Sequence, residues 1–126
     1  MAVKLNKKAF EHAKALVLLG EYVYDERDAW SDHQPSAEDE NDFIRRHGLD
    51  QYAKWYLGID HEKSKDTKGA YEFPYGDLKN VHRCGILAAE SRAAQYKHND
   101  IAAAVAHLHG MIEAQRPSAN VRASIR

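Results

Sequence analysis

Residues 72–96 read EFPYGDLKNVHRCGILAAESRAAQY, and the point at which this stretch turns helical decides the fold. Pro74 stops any strand ladder before it, because proline has no N–H to give. Asp77 is a good N-cap residue, and from it the pattern predicts one long helix over residues 78–96. On a wheel of about 100° per residue, Val81, Gly85, Ala88 and Arg92 share one strip. Ile86 and Ala93 lie on a second side and Leu87 and Ala94 on a third, leaving a polar strip near Arg83 and Glu90. A helix that is apolar nearly all round is buried on several sides. It is either the central helix of the fold or a helix with one face against another chain.

Gly85 inside that helix costs about 1 kcal/mol relative to alanine. Gly85, Ala88 and Ala89 form a flat strip that lets a neighbouring backbone approach, which offsets the cost. Arg92 continues the strip. On this reading it is buried and paired with an acid such as Asp60 or Asp77. The other reading is an anion pocket between Arg92, His82 and the FPYGD turn. His82 reads as a hydrogen-bonding residue at a helix start, and Cys84 as a small core residue.

Outward from the motif, the N-terminal side carries further capped segments. Asn6 caps a helix over residues 7–19, with Leu5 and Phe10 placed as a hydrophobic staple and Gly20 as the C-cap. EYVYDERDAW has a strand-like alternation around Val23 and reads as extended, and SDHQPS is turn chemistry. Ser36 and Asp39 form a capping box for a helix that is acidic at its start and basic before Gly48, as the helix dipole favours. A short helix capped by Asp50 follows, with Tyr52, Trp55, Tyr56 and Leu57 as its buried side. Residues 58–69 form a polar loop. YLGID and AYEFP are predicted to pair as a hairpin, the only sheet expected. On the C-terminal side, Ile101, Val105, Leu108 and Ile112 keep the spacing of an amphipathic helix.

A chain of 126 residues is one domain by length and long enough to bury its own core. Residues 1–114 are read as a globular helical domain and residues 115–126, which lack periodicity and acids, as a disordered basic tail. Cys84 is the only cysteine, which excludes an intrachain disulfide and a cysteine metal cluster and suits a reducing cytoplasm. Lys7, Lys8, Glu11, His12 and Lys14 interrupt the N-terminal apolar residues, so these read neither as a signal peptide nor as a membrane span. Residues 21–50 hold ten acids and three arginines, while residues 79–126 hold seven bases and three acids. This asymmetry reads as two halves that attract each other. A sequence pI near 6.7 and the absence of a basic recognition helix argue against a nucleic-acid reader.

No P-loop, GxGxxG or HExxH occurs. Asp60, His61 and Glu62 are adjacent in a loop, and His107 and His109 lie two apart on a helix; neither arrangement converges on one ion. No metal and no cofactor is therefore assigned. WYLGID at 55–60, FPYGD at 73–77, VHRCG at 81–85 and RAAQ at 92–95 resemble the motifs of a family of small bacterial proteins. AWSDHQPSAEDENDFI at 29–44 is similar to that family's upstream segment. The resemblance spans most of residues 9–114 and implies one compact bacterial domain; it implies no activity.

The sequence thus predicts a mainly α fold, a compact bundle of four to five helices with at most one short β-hairpin. The favoured function is a non-enzymatic protein-interaction module, its partner another protein or a second copy of itself. The alternative is a small enzyme or ligand-binding protein whose pocket lies between Trp55, Tyr75, Asp77, His82 and Arg92, with Arg92 holding a small anionic ligand.

Overall fold

The computed structural model describes residues 3–115. These residues form six helices and five short strands. Strand β1 (Val3–Leu5) leads into helix α1 (Lys7–Leu18), and β2 (Tyr22–Val23) follows. A 3-10 turn at Arg27–Ala29 runs into a four-residue helix, α2 (Trp30–His33). Helices α3 (Ala37–His47) and α4 (Leu49–Ala53) come next, then β3 (Tyr56–Asp60), β4 (Tyr71–Pro74) and β5 (Val81–His82). The helices α5 (Arg83–Gln95) and α6 (Asn99–Gln115) close the described chain.

The expectation of a mainly α bundle with at most one hairpin is corrected: the fold is mixed α/β, with strands in two sheets. The predicted hairpin forms, with Tyr56 opposite Pro74 and Gly58 opposite Glu72. It is extended by β1, which lies antiparallel on the other side of β3, giving the order β1-β3-β4. A second, two-stranded sheet pairs β2 with β5 in parallel, Tyr22 opposite Val81 and Val23 opposite His82.

The physical reason for the second sheet lies in the FPYGD turn. Asp77 caps a turn and not a helix: its Oδ1 accepts from the backbone N–H groups of Lys79 (2.9 Å) and Asn80 (2.7 Å). Asp and Asn side chains compete with helix formation by bonding backbone groups two residues on. Leu78 takes a left-handed backbone, φ 71°, and the chain reverses, so that Asp77 N–H donates to Asn80 C=O. Val81 then emerges extended, and the helix starts at Arg83, five residues later than the wheel placed it. Trp55, Tyr56 and Leu57 are buried as expected. They belong to a turn and to β3, because α4 ends at Ala53.

Other local signals hold. Asn6 Oδ1 accepts from Ala9 N–H, and both halves of the Ser36–Asp39 capping box are present. Gly20, at φ 78°, ends α1 with its own N–H on Val17 C=O and that of Glu21 on Leu16 C=O. This double bond is the Schellman pattern, which needs a left-handed residue. Lys97 fills the same place after α5 at φ 60°, with Lys97 N–H on Ala94 C=O and His98 N–H on Ala93 C=O. It turns the chain directly into α6, and α5 and α6 pack against each other.

The core lies between the three-stranded sheet and helices α1, α5 and α6. It contains Ala9, Ala13 and Val17 of α1, Leu57 of β3, Ile86 of α5, and Ile101, Val105, Leu108 and Ile112 of α6. Among the described residues no helix is long and apolar enough to cross a membrane. The expectation of a disordered tail falls, beyond Gln115, on residues outside those described.

Candidate functional site

The parallel pairing of β2 with β5 sets the site. It carries Asp25, two residues beyond β2, to the N-terminus of α5. His82 occupies the N-cap position of that helix but gives it no side-chain cap. Asp25 serves instead from 59 residues away: its Oδ1 accepts from Cys84 N–H at 2.8 Å. A carboxylate at a helix start is favoured both by the orphan N–H groups and by the helix dipole. Arg83 reinforces the attachment by donating to the Asp25 carbonyl at 3.0 Å.

The second oxygen of Asp25 faces two more groups. His82 Nδ1 lies 2.7 Å from Asp25 Oδ2, and the Cys84 thiol donates to the same oxygen at 3.1 Å. On the far side of the ring, His82 Nε2 lies 2.9 Å from Asp77 Oδ2. His82 is only 3% exposed and Cys84 is fully buried. The His33 ring stacks on that of His82, with centroids 4.7 Å apart and planes at 27°, and its Nε2 is 3.8 Å from Asp25 Oδ2.

Burial alone would push the imidazole of His82 down. Its hydrogen bonds to Asp25 and Asp77, and their charges, outweigh that, and its pKa is raised. Burial would raise Asp25, but bonds from His82 and from the Cys84 N–H and thiol bring it below the ordinary carboxylate range. Asp77 is lowered likewise, its burial overcome by bonds from Asn80, His82 and Lys79. All three shifts agree with an imidazolium clamped between two carboxylates, donating from both nitrogens. Burial and the neighbouring Asp25 carboxylate push the Cys84 thiol up to about 12, so it is protonated and, being buried, out of reach of a substrate.

Asp77 connects this interior cluster to the surface. Its side chain is 31% exposed and forms part of the wall of a groove of about 430 Å³ between α3 and the turn at residues 77–80. Phe43, Arg46 and His47 of α3 line one side, Leu78 and Lys79 the other, and His33 one end. Two other acids of the groove are engaged: Asp39 in the capping box and Asp42 with Arg45. Among the described residues neither Arg46 nor Lys79 takes part in an ion pair.

Of the five residues the sequence singled out, the structure brings Asp77 and His82 together. Trp55 and Tyr75 are buried and stacked on each other, with centroids 5.5 Å apart. The Tyr75 hydroxyl donates to the Lys54 carbonyl at 2.7 Å, so both rings are core. Arg92 corrects the expectation of a buried cation: it is exposed and forms no ion pair among the described residues. The small crevice it borders is walled by Trp30, Gln34, Phe73, Pro74, Ala88 and Ala89, apart from the other four. Sequence reasoning missed Asp25, His33, Arg46 and Lys79, and underread Cys84. No spacing links Asp25 to His82 across 57 residues; the signal that existed was the strand-like YVYD before the 3-10 turn, which needed β5 as its partner.

No protein-family model, no curated protein and no solved structure matches this chain, and the site's own geometry carries the functional argument.

Proposed function

We propose that this protein binds a small anionic ligand in the groove between α3 and the turn at residues 77–80. The observation that carries the reading is the pairing, across one groove, of two cations that form no ion pair among the described residues, Arg46 and Lys79, with a carboxylate held rigid from behind. Arg46 offers a planar fork suited to a carboxylate or phosphate and Lys79 a point charge. Asp77 is oriented by His82 and by two backbone N–H groups, so it can accept from a hydroxyl or amine on the same ligand without reorganising. The ligand class is therefore a small carboxylate or phosphate that also bears a donor. Binding is the reading adopted, because the one thiol and the His82 imidazole lie beneath the groove wall and the residues that reach the groove serve to hold a ligand. Cys84, without a second cysteine, suits a reducing compartment, and we assign the protein to the cytoplasm.

The test is a titration with a panel of hydroxy- and amino-carboxylates and phosphate monoesters, followed by amide chemical shifts. Perturbations should centre on Arg46, Asp77 and Lys79. Arg46→Ala should weaken binding by about 10–100-fold, the worth of one hydrogen bond to a charged group. Perturbations centred elsewhere, or equal binding by Arg46→Ala, would rule the groove out.

A second reading, self-association, has its own observation. Leu18 and Leu19 at the end of α1 are 69% and 72% exposed, whereas the apolar sides of α5, the face first suspected, are buried. If the protein pairs with itself, the contact includes these leucines, and light scattering of Leu19→Glu should report a monomer where the parent reports a dimer.

A further inference from the structure

The cluster beneath the groove brings three metal-ligating side chains together. Asp25 Oδ2, His82 Nδ1 and Cys84 Sγ lie within 4.8 Å of one another. From these three converging atoms we infer a zinc site at the N-terminus of α5, formed by Asp25, His82 and Cys84, with His33 or a water in the fourth position.

The donor set is one carboxylate oxygen, one imidazole nitrogen and one sulfur. A thiolate selects against magnesium and calcium, and the mixed set suits tetrahedral zinc. Bond lengths of about 2.0–2.3 Å place neighbouring tetrahedral ligands about 3.3–3.7 Å apart. The observed 2.7 Å from Asp25 to His82 and 3.1 Å from Asp25 to Cys84 need to open by about half an ångström, which side-chain rotation of Asp25, less buried than the other two, supplies. His82 Nδ1 and Cys84 Sγ, within 4.8 Å of each other, meet the same spacing by rotation of the Cys84 side chain.

Three further features fit an ion. His82 presents Nδ1 to the cluster while its Nε2–H is held by Asp77, the outer-shell carboxylate that orients most metal-bound histidines. Cys84 is the second residue of a thirteen-residue helix, and a bound divalent ion supplies the positive charge that its thiolate lacks in the ion-free cluster. His33 stacks over the ring of His82 and is 41% exposed at its side chain, so it is both a movable fourth ligand and a thin cover through which an ion can enter. Charge also balances. A divalent ion replaces two protons, one on His82 Nδ1 and one on Cys84 Sγ, and leaves the net charge of the cluster unchanged. With those protons in place no buried side-chain polar atom among the described residues lacks a partner, so the fold does not depend on the ion.

The test uses the full chain, reduced and stripped of metal, titrated with Co²⁺. One equivalent should produce a sulfur-to-cobalt charge-transfer band in the near ultraviolet together with the visible bands of a four-coordinate ion, and Zn²⁺ should displace both. Cys84→Ser should lose the charge-transfer band, and Asp77→Asn should weaken metal binding by about 10–100-fold. Should Cys84→Ser fail to fold, the parent supplies a second measurement: the imidazole resonances of His82 should shift with one equivalent of Zn²⁺. A parent that gives no sulfur-to-cobalt band, a Cys84→Ser variant that keeps it, or His82 resonances indifferent to Zn²⁺ would overturn the inference. Asp77 is shared with the groove, but the cobalt bands and Cys84→Ser do not involve Arg46 or Lys79, and Arg46→Ala does not touch the cluster, so these variants separate the two sites.

Discussion

At the scale of single residues, His12 shows how a side chain outside the site sets a property of the whole protein. Its Nδ1 lies 3.0 Å from the Tyr75 hydroxyl and 3.3 Å from the Lys54 carbonyl, and its ring meets Trp55 edge-on. Burial lowers its pKa, the Lys54 carbonyl opposes this in part, and the Lys54 charge adds to the lowering. With the folded pKa below the unfolded value, His12 is neutral in both states above about pH 6.5, and its contribution to stability is complete there. As the pH falls below that value the unfolded chain takes up a proton that the folded one resists, and stability declines. Urea midpoints measured at pH 7.5 and 5.5 should therefore fall less for His12→Gln than for the parent, the comparison removing every other group's share. An equal fall would show that His12 titrates alike in both states. Nothing in the sequence announced this: His12 lies off the apolar stripe of its helix, and only the turn carrying Lys54 and Trp55 brings partners to it.

At the scale of elements, the helix that the wheel drew over residues 78–96 is partly right, and its error is instructive. The buried faces around Ile86, Leu87 and Ala93 are where periodicity put them, because side-chain direction depends only on being helical. The start was misplaced because Asp77 has two uses, helix cap and turn cap, and the choice between them depends on β2, a strand distant in sequence. The flat strip at Gly85 was legible and is used as expected: a Cβ there would stand 2.7 Å from the Tyr75 carbonyl oxygen and 2.8 Å from the Trp30 ring. Gly85→Ala gains about 1 kcal/mol of helix propensity but forces backbone apart, at an overpacking cost of about 1–3 kcal/mol. A lower thermal midpoint is expected, by several degrees. A variant at least as stable as the parent would mean that the FPYGD backbone yields freely.

At the scale of the whole molecule, the sequence conveyed the helices that carry their own caps and stripes and failed where two strands of two or three residues find each other. Short strands have no periodicity to read; Val3–Leu5 and Val81–His82 are strands because of their neighbours. The candidate site was half legible for the same reason, since Asp77 and His82 share one motif while Asp25 and His33 arrive from a segment the motif does not predict. The attachment of that segment has a consequence for motion. Residues 24–34, largely exposed, are joined to the body of the protein by Asp25 on the first turn of α5, by Tyr24 on Glu113, by the Trp30 ring against Gly85 and by His33 stacked on His82. Such a segment is expected to open as a unit, at less free energy than global unfolding. Hydrogen exchange should find the amides of the 3-10 turn, of α2 and of Cys84 accelerated by a common factor in Asp25→Asn, with those of Ile101, Val105 and Leu108 in α6 unchanged. Acceleration shared equally by α6 would instead mean that the segment has no opening of its own. If it opens alone, that opening carries His33 and Asp25 away together, and the cluster beneath is uncovered by a movement of backbone as well as by the turning of one side chain.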